Sequence, residues 1–377
     1  MITLRPGSHM YRLLRLLSVS GEFPCSSLGI LGDTRTVKAM VHKMEAVQNI
    51  RLSSNGSILT SRLFQISGKG NMRTIRLNKN ALAILGDIHP DAPGSYLASY
   101  PDNRFTGDRL RILRNHRAGE ALAMCMMAGI ETEPYKLPKL QKEAILPAVP
   151  ETPGYYFARN FKKIYEAELN KTIFTRVVGL LVYPRGSYAV YNTRDTAMKW
   201  SGLGELKARQ ELSEIVRMNA GQSEVTSAVL FGNNQDIALQ TLVESDKSRK
   251  KQVRFDRIYQ GIHFIPMNRD GIDLIRILTL PDWHEKLMGA LFKSNMRPSG
   301  YGSIEYDAYW EGRYYYSHID SDIARLIRLR EALEIQNKPF EILCLGWQVG
   351  FLKKYMGSAV RLRQLEMTKI LQALNIC

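Results

Sequence analysis

Two carboxylates and an amine stand close together in the middle of the chain. Glu205, Leu206 and Lys207 form an acid–x–Lys triplet, and Asp195 lies ten residues upstream. Paired carboxylates can hold Mg2+, and a neighbouring lysine can orient or activate an attacking water. That chemistry is metal-assisted hydrolysis, and it needs the side chains to converge. Glu205 opens a run of helical spacing, Glu205 to Val216, and residues i and i+2 of a helix point apart. A first-turn glutamate is also favoured by the helix dipole without any catalytic role. Asp195, Glu205 and Lys207 are thus the catalytic candidates, and Mg2+ is implied only if they act; no other cofactor is indicated. A second pair, His116 and Glu120 at i+4, has no third ligand in view. A surface hydrogen bond or ion pair is its expected role.

Elements of alternating type must position these groups. Arg176 to Tyr183 is an apolar extended run, Pro184 to Gly186 a turn, and Ser187 to Arg194 a second extended run. Asp195 to Gly204 connects them to the helix. Upstream, Asp108 to Gly129 has a capping acid and a terminating glycine and reads as a long helix. Downstream, Ser227 to Gly232 is a buried strand and Ile237 to Val243 a helix. Ile258 to Pro266 and Asp270 to Thr279 read as two further strands around an Asn268–Gly271 turn. The alternation predicts an α/β class, α+β over the whole chain, with a mixed sheet flanked by helices. The run Asp246 to Lys251 is basic and reads as a solvated loop or a phosphate contact.

Charge narrows the partner. Lys and Arg number 52 against 36 Asp and Glu, a net +16. Such a field attracts polyanions, and nucleic acid is the default partner. Length allows two or three domains. Cys25, Cys125, Cys344 and Cys377 form no C-x-x-C pair, which fits a reduced, cytoplasmic setting. No apolar run approaches the roughly 18 residues of a membrane span, so no membrane partner is expected. Gly7 to Met10 looks like a tag-cleavage scar, and residues 1–9 are set aside from the fold.

The first module, residues 10–90, reads as three short helices and a hairpin. Tyr11 to Leu17 is amphipathic, Pro24 to Leu31 can hold a second helix, and Thr34 to Ala46 a third. The third buries Val37, Met40, Val41, Met44 and Val47 on one face and leaves Arg35, Lys38, His42 and Lys43 on or beside the other. Ser57 to Ile66 and Met72 to Leu77 flank the glycine turn Gly68 to Asn71. This is the order of a winged helix, whose third helix enters the major groove. Arg62, Lys69, Arg73 and Arg76 then sit on the wing. The expected partner is double-stranded DNA. Winged helices also pair proteins, so a protein-interaction scaffold is the alternative.

The layout resembles the plasmid replication-relaxation family of bacterial mobile elements. The resemblance rests on the winged helix, the Arg73-Thr-Ile-Arg-Leu-Asn78 strand, the Arg114-Asn-His-Arg117 to Glu120 helix and the Arg176 to Glu211 block, over about residues 10–260. It implies that this block is related to a restriction-endonuclease-like core, and that the chain binds DNA in plasmid replication, topology control or transfer. A replication or transfer protein of the same element is a further partner it suggests. Such a core needs a carboxylate at the end of one strand and a second carboxylate with a lysine at i+2 on the next. Here Gly179 and Val190-Tyr-Asn192 occupy those positions, so the core reads as degenerate. A Mg2+-dependent nuclease or nickase using Asp195, Glu205 and Lys207 is the other alternative.

The domains expected are 10–90, a helical connector and linker over 91–154, the nuclease-like domain over 155–280, and a C-terminal α/β extension over 281–377. In the extension, Ile304 to Trp310 and Arg313 to His318 form a hairpin around Glu311-Gly312. Its tyrosines suit cross-strand packing, or, with Arg313, stacking on bases.

Overall fold

The computed structural model describes residues 2–105, 107–142, 152–162, 174, 176–197, 202–243, 255–297, 305–336 and 338–376. The basic run 246–251 lies outside them. The chain begins β1 (Ile2–Thr3), α1 (His9–Ser20), β2 (Glu22–Pro24), a 3-10 segment (Cys25–Leu31) and α2 (Thr34–Glu45). It continues β3 (Val47–Arg51), β4 (Ile58–Arg62), β5 (Phe64–Ser67) and β6 (Thr74–Leu77). The residues before Met10 belong to this fold. Ile2 and Thr3 pair in parallel with Ile50 and Arg51, and the Ser8 hydroxyl caps α1 by accepting from the Tyr11 N–H at 3.2 Å. Asp33 caps α2 in the same way, through the Thr36 N–H at 2.8 Å. Val37, Val41 and Met44 turn inward from α2.

The strands of this region differ from the expected single hairpin. The run Ser57 to Ile66 breaks at Leu63, whose N–H reaches the Met44 carbonyl at 2.9 Å and whose carbonyl accepts from Asn78 N–H at 3.0 Å. Leu63 is fully buried, and this plug turns the chain. β4 therefore pairs with β3, while β5 pairs with β6 and β6 with β2 in a second, antiparallel sheet. Gly68, at φ +81°, opens the β5–β6 turn; a Cβ there would sit 2.4 Å from the Met72 carbonyl oxygen.

After α3 (Ala92–Ser99), α4 (Arg109–Met127) packs against α1, β2 and the 3-10 segment, and also against β9 and α9 defined below. Its middle is buried, from Ala118 to Met126. One hydrophobic core accordingly runs from the first module through α4 to one face of the central sheet, including Phe23, Leu122, Val190 and Ile275.

The central sheet contains β7 (Gly154–Phe157), followed by α5 (Ala158–Lys162), β8 (Gly179–Tyr183), β9 (Gly186–Arg194) and α6 (Leu203–Ala220). Next come β10 (Ser227–Gly232), α7 (Gln235–Val243), α8 (Phe255–Ile258), β11 (Gly261–Pro266) and α9 (Arg269–Leu278). Strand order is β11-β10-β9-β8-β7. β7, β8 and β9 form an antiparallel meander, and β9, β10 and β11 run parallel. Parallel neighbours need crossover connections, supplied by α6 and α7. The mixed α/β class is as read from the sequence. One element is not: Asp270 to Thr279 is α9, not a strand. The Asn268 side chain caps it by accepting from Gly271 N–H at 3.1 Å, and a Cβ on Gly271 would lie 1.8 Å from the Pro266 carbonyl oxygen.

The last part holds α10 (Trp283–Leu291), β12 (Ala308–Trp310), β13 (Arg313–Ser317), α11 (Ile323–Ile335), β14 (Phe340–Leu345), α12 (Val349–Met356), β15 (Val360–Leu365) and α13 (Met367–Ala373). β12–β13 is antiparallel and β13, β14 and β15 run parallel in that order. The hairpin–helix–strand–helix–strand pattern of β8 to β11 is thus built a second time. A buried polar clasp joins the two units. His263 Nδ1 meets the Asp320 carbonyl at 2.9 Å, and Asp322 Oδ1 accepts from Ile262 N–H at 3.0 Å. Among the described residues no helix is long and apolar enough to cross a membrane.

Candidate nucleic-acid interface

The three catalytic candidates are held by different partners. Glu205 is the third residue of α6 and is buried. It accepts from Gly202 N–H at 2.8 Å and pairs with the Arg176 guanidinium. It is a buried helix cap answered by the half-buried Arg176. Asp195 is exposed and accepts from Asn233 Nδ2 at 2.7 Å. Lys207 is exposed one half-turn further along α6. The acid–x–Lys spacing falls on a helix, where it cannot converge on one ion. Among the described residues no group of three or more His, Cys, Asp or Glu is placed to hold a metal.

The strand positions expected to carry acids are filled by packing. Gly179 lies opposite Val190, and a Cβ on it would meet the Tyr155 hydroxyl at 2.2 Å. No aspartate fits there. Val190, Tyr191 and Asn192 are fully buried, and the Tyr191 and Tyr259 hydroxyls are bonded at 2.8 Å. At the end of β9 the register to β10 shifts and Arg194 turns left-handed, and Asn192 and Arg194, an amide and a guanidinium, meet at one carboxylate.

The carboxylate beside them comes from α4. Glu120 is fully buried and accepts from Asn192 Nδ2 at 3.0 Å and from the Ser27 hydroxyl at 2.6 Å. It forms an ion pair with Arg194 Nε at 3.0 Å. Burial raises the Glu120 pKa, against the pull of Arg194 and of its hydrogen-bond donors. Arg194 is held in this pose by a left-handed backbone, φ +54°, and by its N–H to Asn192 Oδ1 at 2.9 Å. His116 is buried as well. Its Nε2 contacts the Thr74 hydroxyl at 2.8 Å, and burial, with Arg194 and Arg76 nearby, lowers its pKa to about 4. His116 and Glu120 are therefore interior groups joining three elements, not the surface pair expected. The reason is that α4 is covered on both sides. Arg117, half-buried beside them, forms no ion pair among the described residues. Burial first, then Arg194 and Arg114, disfavours its charge, and nearby Glu120 offsets part of this. A half-buried guanidinium with no carboxylate in direct contact suits an incoming anion.

The predicted DNA-contact residues divide into two groups. Arg35, Lys38 and Lys43 on α2, with Arg62, Lys69 and Arg73 on β4 and around the β5–β6 turn, are exposed and form no ion pair among the described residues. Burial and Glu45 push the Cys25 thiol up, and Arg73 and Lys38 draw it back, so the helix and hairpin cations both lie in its neighbourhood. Next along the chain, Ser26 accepts a long hydrogen bond from Arg194 at 3.4 Å, bringing that surface to the α4 arginines. His42 instead meets Glu45 at 3.0 Å. Arg76 departs from expectation. It donates through Nε and Nη2 to Glu22 Oε2 at 2.9 and 2.7 Å, and its guanidinium lies 4.5 Å over Phe105. Glu22 is fully buried, so Arg76 neutralises the interior and is not a wing contact.

The chain matches no family model, no curated protein and no solved structure. The site therefore rests on its own geometry. Arg114, Arg117 and Arg194 are the residues that site assignment from the sequence missed. Their signal was present in the i, i+3 arginines of the α4 segment and in the Asn-x-Arg end of β9. What was missing was the packing of α4 onto β9.

Proposed function

We propose that the chain binds double-stranded DNA through α2 and the β5–β6 hairpin and does not cleave it. The order α1–β2–3-10 segment–α2, followed after β3 and β4 by β5–β6 in a sheet of order β2-β6-β5, supports a winged-helix reading, with α2 as the groove-entering helix. The observation that carries the reading is the set of six exposed cations on α2, β4 and the hairpin turn, none of which forms an ion pair among the described residues. The meander β7–β8–β9 crossing through α6 to parallel β10 supports a restriction-endonuclease-like core. Its acidic positions hold Gly179 and Val190, Asn192 stands where the lysine would, and the buried carboxylate beside them, Glu120, is bound to Arg194. That core serves here as a scaffold and a second basic surface. Action in the replication, topology or transfer of a plasmid or integrative element, beside a partner protein of that element, is the setting the resemblance implies.

Duplex affinity measured against salt tests the binding. Six phosphate contacts give a slope of log K against log salt of about −5. Lys38→Ala with Arg73→Ala lowers the steepness by about 2. A flat slope refutes the reading and leaves a protein-pairing role for the first module. For cleavage, supercoiled plasmid with Mg2+ or Mn2+ is expected to stay intact; nicking lost in Glu120→Gln would overturn the inactive assignment.

A further inference from the structure

A cavity of about 440 Å3 opens on one face of the C-terminal sheet, far along the chain from α2. Its walls include Trp310 from β12, Tyr315 from β13, Leu343 from β14 and Phe292 after α10. Phe292 and Tyr315 rings lie 6.1 Å apart, and Trp310 keeps 42% of its surface exposed. Lys293 and Arg363 also line the cavity, are exposed, and form no ion pair among the described residues. An acid of the same sheet, Glu341, is answered twice over: it meets Arg313 at 3.0 Å and Arg361 at 3.9 Å. An aromatic slot of ligand size with unneutralised cations at its edge fits one kind of guest. It is a planar group that stacks, joined to an anion that pairs.

We infer that this cavity takes an unpaired nucleotide of a single-stranded nucleic acid, its base against Trp310 and Tyr315 and its phosphate on Lys293 and Arg363. The inference extends the DNA-binding reading to a second site that takes single strands. A winged helix reads duplex and offers no slot for an unstacked base. The same chain would then hold duplex at one end and an opened strand at the other.

Binding of a labelled oligothymidylate and of a duplex hairpin, at one salt concentration, tests it on the full chain. Trp310→Leu is expected to weaken oligothymidylate binding about ten-fold, as loss of one stacked base does, and to leave duplex affinity unchanged. Arg35→Glu with Lys38→Glu is expected to do the reverse. Tryptophan fluorescence is expected to fall on adding oligothymidylate to the wild type, and the quench to vanish in both Trp310→Phe and Trp310→Leu. Unchanged oligothymidylate affinity in Trp310→Leu, or equal loss for both probes, overturns the inference. Full competition by heparin, a polyanion without bases, together with no fluorescence change also overturns it. Loss of duplex binding alone would sink the winged-helix reading and leave this site standing.

Discussion

Removing Glu120 is the most direct probe of the seam between the first module and the central sheet. Glu120→Ala strands three groups at once: the Ser27 hydroxyl, the Asn192 amide and the Arg194 guanidinium, all within 3.0 Å of the carboxylate. Breaking a buried ion pair from one side costs about 3–5 kcal/mol. The Arg194 side chain keeps 14% of its surface in water, so the low end, about 3 kcal/mol, is expected. Glu120→Gln retains volume and an acceptor oxygen and should cost about 1–2 kcal/mol. Its penalty should also depend on pH. Burial raises the Glu120 pKa in the fold, so the wild type is helped by protonation below the unfolded value and loses that help as pH rises through the folded value. The gap between wild type and Glu120→Gln therefore narrows from pH 4 to pH 7. Urea unfolding followed by circular dichroism reads both effects. The double variant with Arg194→Ala should be more stable than Glu120→Ala alone, because no unpaired charge remains. A loss under about 1 kcal/mol for Glu120→Ala, or equal losses for Ala and Gln, refutes the assignment of a buried, charge-bearing joint.

Three further outcomes follow from other sites. Arg76→Ala should destabilise by about 3 kcal/mol, since it leaves Glu22 buried with the neutral Asn115 amide but no counter-charge, yet leave the salt slope of DNA binding unchanged. Glu133 is pulled down to about 2: burial opposes its charge, but hydrogen bonds with Glu131, Arg15 and Lys136 outweigh it. The stability it contributes is present above the unfolded value of 4.5 and is lost as pH falls through about 2. Acid titration of Glu133→Gln should lack that loss. Gly271→Ala should prevent α9 from docking, because the new Cβ meets the Pro266 carbonyl at 1.8 Å; a melting temperature equal to wild type would show that the loop yields instead.

The local grammar of the chain was readable and its long-range joints were not. A capping acid placed α4 well: Asp108 starts it, and its side chain accepts from the Leu110 N–H. The glycines at 68 and 70 located the hairpin turn. Errors arose where burial, rather than period, decides. Ile272 to Leu278 is apolar nearly throughout, so a buried helix and a buried strand look alike; the Asn268 cap settles it. Leu63 breaks a continuous extended run only because Met44 and Asn78 take its backbone groups. His116, Glu120, Arg76 and Glu22 were the hardest to place. Each is polar, and each is interior because a partner more than forty residues away answers it. No local pattern encodes such a partner.

On the proposed reading, the same joint bears on why a nuclease-like frame would persist without its chemistry. A divalent ion requires carboxylates whose charge is free. Glu120 gives its charge to Arg194, and Val190 and Asn192 stand where the second acid and the lysine would, so on that reading the frame does not collect the ion. What the exchange yields is rigidity. Glu120 binds Ser27 of the first module, Asn192 and Arg194 of the sheet, and sits on α4 between them. It thereby fixes the α2 cations relative to Arg114 and Arg117. If the seam is the device that holds two basic surfaces in register on one duplex, Glu120→Gln should weaken DNA binding more than its small stability cost explains. Charge reversal at Arg117, away from α2, should lower the salt slope as well.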